Sequence, residues 1–215
     1  MRSPCSLFAL LLVSLGLVAL AGCSLGREPP PTRLYVLTAL PQSERAATPV
    51  LTSSDTLGVG PVTLPQYTDR AQIITGATSP ELNRSPFAQW AEPLEANFAR
   101  VLTDNLSLLL ATDQVMTFPW HGLTSPTYQV IVDVTTFLGE PGQQASLEAR
   151  WSVIGKNGKD VLVRKKSSFR EPIGTADYQA LAAGLSRTVA QLSREIATTL
   201  TALEQQAGHP VAAVR

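Results

Sequence analysis

Tyr128-Gln129-Val130-Ile131-Val132-Asp133-Val134-Thr135-Thr136-Phe137-Leu138 is the stretch that decides the fold. Tyr128, Val130, Val132 and Val134 fall on one face of an extended chain, and Gln129, Asp133 and Thr135 on the other, with Ile131 the exception. Side chains alternate across a strand, so the pattern predicts a strand buried on one side, in a sheet with one covered face. Leu147, Ala149, Trp151 and Val153 repeat the alternation, and Lys156-Asn157-Gly158-Lys159 then signals a hairpin. A two-residue Asn157-Gly158 turn would set Trp151 opposite Arg164 and Ala149 opposite Lys166, driving charge onto the apolar face. A three-residue loop with Gly158 left-handed instead pairs Val153 with Val161 and Trp151 with Val163, and this register is the expectation.

Two amphipathic helices supply the cover. Leu94, Phe98, Val101, Leu102, Asn105 and Leu109 follow the helical period, predicting a helix from Pro93 to about Ala111 with Pro93 in the first helical position. Tyr178, Leu181, Leu185, Val189, Leu192, Ile196, Leu200 and Leu203 predict a longer one over Asp177 to Gln206. Upstream, Arg33–Leu37, Leu57–Leu64 and Ala71–Thr75 read as strands. Gly58, Gly60 and Pro61 point to a bulge or an edge position in the second. Thr75 to Pro86 is rich in turn formers and reads as a loop with at most one extended piece, and Trp90 reads as a staple for the first helix. Gln114–Pro119 is a further strand. The order β-β-β-α-β-β-β-β-α predicts an α+β fold, a mixed or antiparallel sheet with two helices packed on one face.

Little in the chain supports chemistry. Its two histidines, His121 and His209, have no cysteine, histidine or carboxylate at metal-ligand spacing. His121 follows Pro119-Trp120 in an expected turn. Gly-x-Ser-x-Gly is absent, and Gly58-Val59-Gly60 lacks the third glycine and following helix of a dinucleotide loop. Glu92 and Glu95 suit a helix N-terminus. Arg164-Lys165-Lys166 is the only basic run, either a solvated strand face or a contact for lipid headgroups or an acidic partner. No catalytic residue, metal or cofactor is expected. The 17 basic and 17 acidic side chains balance, which argues against nucleic acid as a partner.

The amino terminus carries the most specific motif. Arg2 precedes an apolar run from Leu7 to Ala21 that is too short to span a bilayer and fits a signal-peptide core. Leu20-Ala21-Gly22-Cys23 after it resembles the lipobox of bacterial lipoproteins. The resemblance implies cleavage before Cys23 and acylation of its sulfur and freed amine. Three acyl chains make a permanent anchor where one would be marginal. Ser24, where an Asp would favour inner-membrane retention, implies the outer membrane with the domain facing the periplasm. Cys5 lies in the removed segment, so no intramolecular disulfide is expected. The organisation is then a signal peptide over 1–22, a lipidated cysteine and Pro-rich tether over 23–32, a domain over 33–206 and a disordered tail over 207–215.

Further segments add a family pattern. Tyr35-Val36-Leu37, Val59-Gly60-Pro61-Val62-Thr63-Leu64-Pro65-Gln66-Tyr67, Trp90-Ala91-Glu92-Pro93-Leu94 and Asn105-Leu106-Ser107 resemble, in order and spacing, the PqiC-like ABC-type transport auxiliary lipoproteins. Thr68 departs from the leucine the family often has after Pro-x-Tyr. The resemblance implies a non-enzymatic outer-membrane lipoprotein. It would dock an MCE-domain protein and its inner-membrane transporter, as a homo-oligomer, and so support lipid transport and membrane integrity. Tyr35, Leu37, Pro65, Tyr67, Trp90, Pro93 and Leu94 are the candidate partner-contact or family-motif residues, and Cys23 the lipidation site. The alternative is a structural or assembly lipoprotein of another cell-envelope complex.

Overall fold

The computed structural model describes residues 29–52, 54–76, 80–120, 125–155 and 158–208. The expected signal peptide, Cys23 and most of the tether lie outside the described residues, as do His121, Asn157 and residues 209–215. The chain divides into two compact units, Met1–Pro31 and Thr32–Arg215. In the second unit the described residues form β1 (Arg33–Tyr35), β2 (Leu57–Thr63), β3 (Gln72–Thr75), β4 (Asn83–Trp90), α1 (Leu94–Leu109), β5 (Val115–Thr117), β6 (Tyr128–Gly139), β7 (Gln144–Ile154), β8 (Val161–Pro172) and α2 (Tyr178–Gly208).

The alternating stretch becomes β6, the spine of one mixed sheet. Its antiparallel partner β7 occupies one edge from Gln129 to Gly139, and β8 continues the meander beyond it. The other edge forks. Parallel β2, with β5 outside it, covers the Tyr128 end, and β3 meets the Gly139 end through Thr75, followed outward by β4 and β1. Tyr128, Val130, Val132 and Val134 are buried as their spacing required, and so are Leu147, Ala149, Trp151 and Val153 of β7. Both helices contact each other and the sheet. Phe98 of α1 meets Phe137 of β6 edge to face at 5.3 Å between ring centres, and Leu181, Leu185, Val189, Leu192, Ile196 and Leu200 run the apolar stripe of α2 along the same core. This is the α+β architecture with two helices on a mixed sheet.

Several details correct the expectations. Asn83–Trp90 is a full strand where turn formers had suggested a loop, and Trp90 is its last residue, aligned with Tyr35 of β1. Cross-strand pairing with β3 outweighs the weak local propensity of Asn83, Ser85 and Pro86, and β1 pairs with the Ala88–Trp90 end. Of the two alternatives for β2, the bulge holds and the edge position does not: the strand has partners on both sides, and its glycines and Pro61 mark the irregularity between Val59 and Val62. Pro93 is the cap of α1 and Leu94 its first residue, since the Pro93 ψ of 124° is extended. α2 begins after Asp177, whose Oδ1 accepts the Ala180 N–H at 2.7 Å, and runs two residues past Gln206.

The hairpin register also differs. Val153 pairs with Val163 and Trp151 with Lys165, a bulge separates Val153 from Ile154, and the connection spans Gly155 to Asp160. Gly158 is left-handed as expected, at φ 68°. Arg164 and Lys166 stay off the Trp151 face as argued, but the pairing lies two residues from the expected one and sets Lys165 opposite Trp151, which is tolerated because β8 is an edge strand. There a lysine stem can lie on the ring while its ammonium reaches outward. Lys165 Nζ sits 5.4 Å from the Trp151 ring centre and hydrogen-bonds Thr199 of α2 at 3.0 Å.

Candidate functional site

The candidate residues fall into three places. Pro65, Trp90, Pro93 and Leu94 converge on one open cleft of about 650 Å³. One wall is the chain from Leu64 through a 3-10 turn at Gln66–Thr68 to Ala71, and the other is the end of β4 with the first turn of α1. Trp90 and Leu94 are buried, so their edges floor the cleft, and Gln66, Arg70, Glu95 and Ala96 stand on its exposed rim. Asp69, Glu92 and Glu95 against Arg70 leave that rim acidic, and Glu92 is paired with Arg100. The walls are fastened by one backbone bond, Trp90 N–H to Ala71 O at 2.7 Å, and a second, Ala91 N–H to Tyr35 O at 2.9 Å, ties the end of β4 to β1.

Tyr67 turns away from the cleft. Its hydroxyl accepts the Phe137 N–H at 3.0 Å, just past the β6 irregularity between Val134 and Thr136. That bond ties the 65–68 turn to the centre of the sheet. Burial raises the Tyr67 pKa from its ordinary value, and the Phe137 bond partly opposes the rise. Tyr35 lies beside Trp90 in the ladder but directs its ring toward Tyr178 of α2, 6.5 Å between centres.

Leu37 is a core residue, only 2% exposed, and belongs to a seam between the helices. The chain after β1 crosses this seam without strand partners, and side chains satisfy its amides. Leu37 N–H donates to Asn97 Oδ1 at 2.7 Å, Thr38 N–H to Ser186 Oγ at 3.1 Å, and Leu40 N–H to Asn105 Oδ1 at 2.7 Å. Asn105 Nδ2 donates to Ser193 Oγ at 3.0 Å, joining α1 to α2. Buried polar groups need such partners, so the Tyr35-Val36-Leu37 and Asn105 elements of the motif hold the fold. The sequence signal was present: Asn105 occupies an apolar-stripe position, where an unpaired amide would be costly.

Residues outside the motif add a second feature. Trp120 and Phe118 meet edge to face at 5.2 Å over the side of β2 turned away from its buried Leu57 and Val59. A Cβ on Gly58 would lie 2.8 Å from the Trp120 ring and 2.7 Å from Pro126, so the glycine is needed for close approach rather than for a nucleotide. Among the described residues no group of three His, Cys, Asp or Glu side chains gathers as metal ligands, and no helix is long and apolar enough to cross a membrane.

The pattern of the ABC-type transport auxiliary lipoprotein component matches residues 35–197, from the last residue of β1 through the cleft and the helix seam to most of α2. The chain belongs to the ABC-type transport auxiliary lipoprotein family. Solved structures share the fold of this auxiliary lipoprotein. Protein XCC0632 from Xanthomonas campestris, of the DUF330 family, is 20% identical with a TM-score of 0.65, over 83% of this chain and all of its own. A protein described as uncharacterized, also 20% identical with a TM-score of 0.65, aligns over 80% of this chain and 99% of its own. No curated relative matches the sequence. Membership makes the protein a transport accessory of the cell envelope, in a class that is not enzymatic.

Proposed function

We propose that this auxiliary lipoprotein is held at the periplasmic face of the outer membrane by acylated Cys23 and docks an MCE-domain protein served by an inner-membrane transporter. In this reading the cleft between the 64–71 segment and the start of α1 is the docking site. The observation that supports it is convergence: Pro65, Trp90, Pro93 and Leu94 come from two stretches far apart in sequence and line one open cleft. Apolar edges on the floor and carboxylates on the rim suit an extended or helical segment carrying apolar anchors and basic flanks. A tether of nine residues, Ser24–Thr32, reaches roughly 28 Å when extended. A domain confined so near a membrane meets a partner there at high effective concentration, so a modest interface suffices. A homo-oligomer would multiply the sites.

The test is a photo-crosslinking series in cells, with the crosslinker placed at Gln66, Glu95 and, as a control, Thr198 on the outer side of α2. Adducts to the MCE-domain protein from Gln66 and Glu95 but not Thr198 are the expected result. Adducts from Thr198 alone would move docking to the helices, and adducts to an unrelated envelope protein would favour the assembly role.

A further inference from the structure

The face of the sheet opposite the helices carries a strip with a cationic excess. On β7 the buried Ala149, Trp151 and Val153 fix Arg150 on the other side. The register sets Arg150 directly opposite Lys166, Ser152 opposite Arg164 and Ser146 opposite Arg170. Arg164, Lys166 and Arg170 therefore share Arg150's face and are exposed. Alternate residues repeat about every 6.8 Å, so the strip from Arg164 to Arg170 is about 20 Å long. Arg150 has Asp133 at 3.7 Å. No carboxylate among the described residues lies within ion-pair distance of the other three.

Edge protection explains part of this, because charged side chains on a free strand such as β8 discourage strand addition. It does not call for a single sign, yet Arg164, Lys166 and Arg170 of β8 are all cations; Arg150, on the interior strand, is answered by Asp133 directly across on β6, and Glu148 lies on the same face. A second asymmetry accompanies the first. The large apolar side chains left exposed among the described residues all belong to strands or their connections, and neither helix contributes one. Leu34 and Phe87 share the outer side of β1 and β4, since the register aligns Leu34 with Gln89, two residues from Phe87, while Ala88 and Trp90 are buried. The Phe118–Trp120 pair covers the outer side of Gly58. The outer side of the sheet thus carries arginine and lysine on β7 and β8 and Leu, Phe and Trp on the strands beyond β6 and their connections, residue types found together at lipid headgroup level.

We propose that this helix-free sheet face, centred on Arg150, Arg164, Lys166 and Arg170, lies against anionic phospholipid headgroups of the bilayer that holds the anchor. The inference rests on the reading of Cys23 as the lipidated residue. Charge complementarity selects the occupant: the strip is cationic, whereas the cleft rim is acidic and would be repelled by the same surface. The short tether keeps the bilayer within reach, and each cation brought to an anionic surface strengthens the contact about fivefold.

The experiment uses the full lipidated protein in vesicles of phosphatidylcholine alone or with phosphatidylglycerol. Cys5 is removed with the signal peptide and Cys23 is blocked by acylation, so Ser168→Cys on the strip and Thr198→Cys on α2 each give a single labelling site. Flotation with neutral vesicles reads the anchor by itself, and protein that does not float overturns the anchor and this proposal together. In protein that floats, a fluorophore at position 168 should be quenched by headgroup-level nitroxide lipid on anionic vesicles. Quenching should be weak on neutral ones, and the label at 198 should stay unquenched on both. High salt should abolish the difference, and R164E/K166E should lower the anionic preference at least 25-fold with unchanged thermal stability. No quenching at 168 on anionic vesicles would overturn the proposal and leave an acidic protein surface as the occupant. Equal quenching on both vesicle types would overturn the electrostatic basis.

Discussion

Lys165 stands over the ring of Trp151, its Nζ 5.4 Å from the ring centre, on the side of β8 that faces the helices. The same ammonium hydrogen-bonds Thr199 and lies 3.7 Å from Glu195, and the Trp151 indole N–H donates to Ser167 Oγ at 2.9 Å. One edge lysine thereby closes the gap between the sheet and α2.

Lys165→Ala is expected to cost about 1 kcal/mol, from the lost cation–π contact and from the stem that covers the ring. Lys165→Met keeps the stem and should cost less. Glu195→Gln should change little, because the pair is solvent-exposed. Urea unfolding of the three variants checks the order. A Met variant as unstable as the Ala variant would mean the charge, not the packing, is what matters.

Asn105 holds both the Leu40 amide and Ser193. Asn105→Leu leaves the part-buried Leu40 N–H without an acceptor, while the Ser193 hydroxyl keeps its bond to Val189 O, and the expected cost is about 1–3 kcal/mol. The segment from Leu37 to Arg45 should also become the first point of tryptic cleavage, at Arg45. Unchanged protection there would show that Asn97 and Ser186 suffice to hold it.

How much of this was legible follows from the range of the forces involved. The period-two face of β6 and the threefold and fourfold spacing of α2 are local patterns, and both elements came out where the pattern lay. β4 did not, because Asn83, Ser85 and Pro86 are poor strand formers and pairing with β3 holds that end extended. In the hairpin, the exclusion of Arg164 and Lys166 from the apolar side holds, but the pairing lies two residues from the expected one, and nothing local says that Glu195 and Thr199 wait about thirty residues downstream to hold Lys165 over Trp151. In the cleft, the motif residues were visible but their roles were not. From sequence, Leu37 and Tyr67 could be partner contacts or fold-defining residues, and the structure gives each an internal hydrogen bond, to Asn97 and Phe137.

Tyr67 and Tyr128 both predict an alkaline limit to stability. Burial raises the pKa of each. For Tyr128, the hydrogen bond to Glu204 and the charges of Glu204 and Asp55 add to the rise. A folded-state pKa above the unfolded value of about 10 means the native protein holds protons that the unfolded chain releases. The stabilisation is complete below pH 10 and is lost as pH rises above it. Tyr67→Phe and Tyr128→Phe should each flatten that fall, measured as unfolding midpoints between pH 8 and 11. A slope unaltered in both variants would place its origin elsewhere.

Gly58→Val tests the aromatic cover on the sheet. Its Cβ would press on the Trp120 ring at 2.8 Å, and a branched side chain adds two further methyls. Displacing the ring is expected to cost about 1–3 kcal/mol and to red-shift the Trp120 emission, read in a background with Trp90 and Trp151 replaced by Phe. Emission unchanged from the parent would mean the Phe118–Trp120 pair is not held against Gly58.

The acidic rim of the cleft gives a prediction that separates docking from folding. Asp69 and Glu95 are exposed and neither takes part in the core, so D69K/E95K should leave the melting temperature within a degree or two. If a partner with basic flanks enters between them, the same change should slow association tenfold or more at low salt. Added salt should weaken the parent complex and leave the variant almost unaffected. Trp90→Ala would be a poor substitute for this experiment: the side chain is 6% exposed and packs in the core, so losing it would unfold the cleft rather than empty it. Binding of an MCE-domain protein by D69K/E95K at the parent's rate and salt dependence would remove the cleft from the docking surface while leaving the family assignment and the fold intact.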